Sequence, residues 1–180
     1  MNSLKQSFNM GPTEEFYRAY GESLASRLAE IAHSPARPAF VFLEDMGDPK
    51  ELKLQTGRKD ALLGDNQLVW EAFQEDLDTG GRDNYHSVWT GSVAVIRKAT
   101  TDEQIRAARA TARQLVLKAY ALMLQDAAHG ALAEEFIQVE VRQLPLEKIG
   151  PIASGWHGYG LQFSWTVPVD LELGPLDLIE

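Results

Sequence analysis

One alternation near the C-terminus constrains this chain more than any other feature. Tyr159, Leu161, Phe163, Trp165, Val167, Val169, Leu171 and Leu173 take every second position, and Gly160, Gln162, Ser164, Thr166, Pro168, Asp170 and Glu172 fill the places between. A period of two puts one set on each side of a β-strand, so the stretch reads as a half-buried antiparallel strand. It outruns the usual strand of about five or six residues. Pro168 donates no ladder hydrogen bond, which predicts a sheet edge, or a bulge at that residue.

A strand of this kind needs an apolar layer to cover it, and two helices are on offer. The first is expected at about Thr13 to Ala32, after Pro12. Thr13 caps it, and Glu14 and Glu15 favour its positive end. Phe16, Tyr20, Leu24, Leu28 and Ile31 recur at three- and four-residue spacing, and Ser34-Pro35 ends the run. The second is expected from Thr101 to His129. Thr101-Asp102-Glu103-Gln104 is a capping box, and Ile105, Ala108, Ala112, Leu115, Ala119, Leu122 and Met123 form its stripe. Gly130 is expected as a left-handed stop.

Further strands lie between and after the helices. Phe40–Leu43 is a short apolar run, and Leu52 and Leu54 alternate with lysines in a half-exposed one. Leu68 to Leu77 fits a helix at Val69, Phe73 and Leu77. A strand is preferred, because Val88 to Ile96 answers it across the turn formers Asp78 to Asn84. Phe136 to Leu144 reads as a strand, with Pro145 to Gly155 as its connection to the last one. The expected fold is α+β, a mostly antiparallel sheet with two helices packed on one face. It is a single domain over 1–180, with a projecting hairpin at about 68–97 and an extended C-terminal strand and tail at 159–180.

Composition narrows the function. With no cysteine, zinc ribbons, disulfides and thiol nucleophiles are excluded. No stretch of apolar residues is long enough to span a bilayer, and Met1–Met10 lacks the apolar centre of a secretory signal. A net charge of −9 disfavours coating a phosphate backbone, while allowing a channel through which DNA slides without sticking.

Chemistry-bearing motifs are few. His33, His86, His129 and His157 share no ligand spacing. His157 sits in Gly155-Trp156-His157-Gly158-Tyr159-Gly160, read as a flexible lead into the last strand or, less simply, a loop that another backbone approaches. Asp78-Thr79-Gly80 matches the aspartic-protease tripeptide, but Glu75-Asp76-Leu77 before it is charged where that fold needs an apolar strand. Asp76, Asp78 and Asp83 lack the rest of a calcium loop. Trp70, Trp89, Trp156 and Trp165 have no interleaved basic residues, so they read as core or interface rather than base-stacking platforms. No catalytic, metal or cofactor residue is assigned.

What remains is surface for assembly. The hairpin tip with Asp76, Asp78 and Arg82, the strand start at Trp156 and Tyr159, and the tail residues Leu171, Leu173, Leu176 and Leu178 are the expected interface. The order of elements resembles the tail terminator, or tail-completion, proteins of long-tailed bacteriophages: helix Thr13–Ala32, strands from Phe40 through Ile96 with a protruding hairpin, long helix Thr101–His129, then closing strands ending in Tyr159–Leu173. The resemblance covers most of the chain and rests on no diagnostic motif. It implies a homo-oligomeric ring, commonly hexameric, that caps the tail tube and joins the head connector. DNA would pass through its lumen, with no cofactor and no membrane involved. It implies a place in the virion tail or neck, and in host cytoplasm before assembly. Alternatives are an adaptor of another phage-like or contractile injection assembly, and a small hydrolase using Asp78.

Overall fold

A computed structural model of the chain describes residues 12–44, 66–78, 85–140, 145–152 and 155–169. The fold is α+β, a mostly antiparallel sheet of seven strands with helices on one face. Its strands are β1 (Phe40–Leu43), β2 (Gln67–Glu71), β3 (Gln74–Asp78), β4 (His86–Lys98), β5 (Gln138–Val139), β6 (Leu146–Ile152) and β7 (Trp156–Pro168). The helices are α1 (Glu14–Arg27), α2 (Asp102–His129) and the short α3 (Ala131–Glu134). The expected strand at Leu52 and Leu54, the turn from 79 to 84 and the tail beyond Val169 lie outside the described residues.

Two long strands organise the sheet. β4 and β7 pair antiparallel from His86↔Pro168 to Lys98↔Trp156. β2 and β3 share the other side of β4, and β5 and β6 share the other side of β7. β1 joins β2 in the one parallel pair among the described residues. β7 is therefore an interior strand, not the expected edge. Pro168 is its last residue, so its missing N–H interrupts nothing.

The helix-side face carries the main core. Tyr159, Leu161, Phe163, Trp165 and Val167 pack there with Trp89, Val93 and Val95 of β4. α1 covers β1 and β2, and α2 covers β4 and β7. Aromatic rings fill the centre: Tyr17 lies 5.1 Å from Trp70 and 5.2 Å from Trp165, and Phe73 stacks on Trp89 at 4.0 Å. Such pairs add about 0.5–1.5 kcal/mol each beyond area burial. Gly91 belongs to this cluster, because a Cβ there would lie 2.0 Å from the Tyr17 hydroxyl.

The opposite face is apolar at one end. Val41, Leu43, Val69, Ala94, Ile96 and Trp156 form a second buried cluster, with Ile149 and Ile152 of β6 against it. Strand stretches buried on both faces read as continuous apolar runs, and Leu68-Val69-Trp70 and Val93–Ile96 are such runs. Towards the other end this face turns polar, with Thr90 and Ser164 at 3.3 Å.

Several local expectations need correction. α1 stops at Arg27, five residues early, because Leu28 turns extended and Ala32 adopts φ 51°. The stripe misled because Leu28 and Ile31 remain in the same core after the helix has ended. His33 ties this turn, accepting from the Ala39 N–H at 2.9 Å while its Nε2 meets Glu22 at 3.0 Å. Gly130 is not left-handed: its φ is −129°, and a Cβ there would crowd Asp126 Oδ1 at 2.7 Å. Phe136, expected in a strand, has φ 57° and is 74% exposed, and the strand is Gln138–Val139. The connection from Pro145 to Gly155 contains β6, and the glycine-rich run after it already belongs to β7.

Candidate functional site

Between the apolar and polar ends of the second face lies a groove of 540 Å³ where β6 runs beside β7. Ser92, Gln162, Glu147, Ile149 and Ile152 line it. The Ser92 hydroxyl donates to Glu71 across the sheet.

His157 is 5% exposed and on the helix side of β7. It faces Arg97 across the ladder and Arg109 from α2 above. Burial, and then the Arg109 charge, push its pKa below the usual histidine value, so the ring is neutral. Arg109 Nη2 donates to the Gly150 carbonyl of β6 at 3.2 Å. A neutral imidazole under a guanidinium, with no acid or nucleophile joined to it by a described contact, is a packing arrangement.

Asp126 is also buried, at 6% exposure. Burial alone would raise its pKa, but the Arg27 guanidinium and the Tyr20 hydroxyl outweigh that and hold it below the carboxylate range. Tyr20 is pushed far up, by burial first and then by Asp126. The cluster joins α1 to α2. Among the described residues no group of three or more His, Asp or Glu is placed to hold a metal ion.

The expected interface residues divide. Asp76 and Asp78 lie on β3, whose five residues are all exposed and which pairs, among the described residues, with β4 alone. Asp78 is thus exposed at the end of its strand. Trp156, expected at the interface, is 3% exposed within the second cluster, because β6 covers that end of β7. Tyr159 is half-buried against the main core. Arg82, Leu171, Leu173, Leu176 and Leu178 lie outside the described residues.

One feature went unread in the sequence. Arg106, Arg109 and Arg113 are spaced by three and four on α2, which gathers them on one flank. Arg109 fixes its direction by reaching Gly150, so the flank overlooks β6. Lys148 stands on the same side of the sheet, opposite Tyr159. Leu117, next along this flank, is 40% exposed. The signal was present as arginines beside an Ala108-Ala112-Leu115 stripe, but only packing tells which sheet edge they overlook.

No protein-family model matches the chain, and a search of curated proteins finds no relative.

Proposed function

We propose that this chain is a structural assembly protein that acts as tail terminators do, joining copies of itself into a ring that caps a phage tail tube and meets the head connector. The observation that carries the reading is β3: five exposed residues, paired on one side, contributing no buried side chain to their own subunit. A bare edge strand is normally protected, and one left open invites a neighbouring chain. The order of helix, hairpin-bearing strands, long helix and closing strands supports the same reading. So does the net charge of −9, which suits a lumen that lets DNA pass.

β7, expected to offer an open edge, is paired on both sides, and β3 is the strand left open among the described residues. The ring belongs in the tail or neck of a virion, with the free subunit in host cytoplasm beforehand. Light scattering of the purified chain, alone and with tail tubes, tests this. The expected result is a multiple of the 20.0 kDa subunit, visible as rings by electron microscopy, or recruitment to tube ends. A chain that stays monomeric and ignores tubes would sink the reading.

A further inference from the structure

The two sides of the sheet end in opposite charge. On one side β3 carries Asp76 and Asp78 on one face and, on the other, Leu77, 53% exposed, beside Glu75, whose carboxylate accepts from Trp89 at 3.1 Å. On the other, the α2 flank carries Arg106, Arg109 and Arg113 over β6, with Lys148 below and exposed Leu117 alongside. Among the described residues, Arg106, Arg113 and Lys148 have no ion-pair partner. Asp102 and Glu103, in the first turn of α2, stand four and three residues before Arg106, and against three arginines and Lys148 they leave the strip net cationic. Sheet order places β3 beyond β4 and this strip beyond β7. One molecule therefore presents both surfaces at opposite ends.

We propose that the arginine flank of α2 receives the acidic edge strand β3 of a second copy of this chain, head to tail. Each surface carries charge of predominantly one sign and one exposed leucine, Leu77 on the face of β3 opposite Asp76 and Asp78, and the signs are complementary. β3 against β3 would set like charges across a new ladder, which disfavours a symmetric pair. On the other side, β6 has Pro151 and a register shift between Ile149 and Ile152, both of which blunt strand pairing. The strand must then be held by the helix flank more than by ladder extension. A head-to-tail contact between opposite ends gives a ring when its rotation closes, and a filament when it does not. This inference rests on the assembly reading above and assigns its interface.

The test uses the full chain and sedimentation velocity at low salt. Two charge-reversed proteins are needed, R106E/R113E and D76R/D78R, each checked for native folding by circular dichroism. Each alone should self-associate at least about tenfold more weakly than wild type, because like charges then face each other. Their equimolar mixture should recover association, since each supplies the partner the other lacks. Added salt should weaken wild-type association. The neutral pair R106Q/R113Q and the apolar-site variant L77S stand in should a reversal fail to fold, and both should weaken association too. Unchanged association in these variants, or a mixture that fails to recover, overturns the proposed interface and leaves the assembly reading standing. A wild-type chain that is monomeric at its solubility limit overturns both. Loss of DNA binding in R106E/R113E, with self-association intact, would assign the strip to nucleic acid and also overturn the proposal.

Discussion

Arg27, in the last turn of α1, grips Asp126, near the end of α2, with both guanidinium nitrogens, at 2.6 and 3.0 Å. Tyr20 donates to the same carboxylate at 2.7 Å, so three side chains close the seam between the helices. Arg27 is 38% exposed, which screens the pair, while Asp126 is nearly enclosed.

Asp126→Ala should therefore destabilise the fold by about 2 kcal/mol, chiefly by leaving the Tyr20 hydroxyl buried without its acceptor. Asp126→Asn should cost less and change the pH response. The folded carboxyl titrates below its ordinary 3.8, so its contribution is complete above that value and is lost as pH falls through the folded pKa. Urea melts from neutral to acid pH check both. An Asn variant with the same acid slope as wild type would show that other carboxylates set it.

Tyr17 and Gly91 form a second testable pair. The Tyr17 hydroxyl donates to the Glu71 carbonyl at 2.7 Å, through space that only a glycine at 91 leaves open. Gly91→Ala should destabilise by about 1–3 kcal/mol, through overpacking. Tyr17→Phe should cost about 1 kcal/mol for the lost hydrogen bond. The double variant should cost less than the sum, because removing the hydroxyl clears the Cβ. Thermal melts of the four proteins in this cycle decide it, and strict additivity would contradict the contact.

The cap of α2 gives a third. Thr101 accepts from the Gln104 N–H at 3.3 Å, and the Gln104 side chain reaches back to the Thr101 N–H at 3.3 Å. Thr101→Ala should cost about 1 kcal/mol. Gln104→Ala should cost a fraction of that, because Thr101 keeps its own bond. Chemical denaturation of both resolves the difference, and equal costs would mean the box acts as one unit.

The contrast between β7 and β3 shows what the sequence carries and what it does not. The alternation from Tyr159 to Val167 survives intact as the inner face of β7, and the capping box at Thr101 stands at the predicted residue. Both are local, set by period and by a side chain reaching its own backbone. Leu68–Leu77 was ambiguous for a physical reason. Between the pairs Trp70↔Val93 and Gln74↔Thr90, three residues oppose two, so one extra residue shifts the alternation and swings Phe73 into the aromatic core. Edge status was misjudged because it depends on partners distant in sequence. β5 and β6 cover β7, while nothing among the described residues lies beyond β3. The arginine flank was missed for the same reason, since only the Arg109–Gly150 contact says which side it faces.

Phe163→Asp should abolish folding. Phe163 is 1% exposed, 4.9 Å from the Trp70 ring and 5.7 Å from Trp165. A carboxylate there would have no partner among these rings, and an unpaired buried charge costs several kcal/mol, comparable with the whole stability of a domain. Near-ultraviolet circular dichroism, which reads the packed tryptophans, should lose its signal. A retained signal would mean the cluster tolerates water.

His157 carries the last prediction. Arg109 approaches from α2 and the Gly150 backbone closes the β6 side, so a proton on the ring would add a second positive charge beside Arg109 in an enclosed place. Its folded pKa lies below the unfolded value near 6.5. The unfolded chain thus binds the proton first, and stability should fall as pH drops below about 6.5, levelling once the folded ring protonates. One group contributes a slope of at most about 1.4 kcal/mol per pH unit. His157→Asn should lower stability at neutral pH but remove this slope, which denaturant melts at several pH values between neutral and mildly acid would reveal. If the Asn variant keeps the slope, the titrating group is elsewhere, and the neutral ring beneath Arg109 is not what acid disturbs.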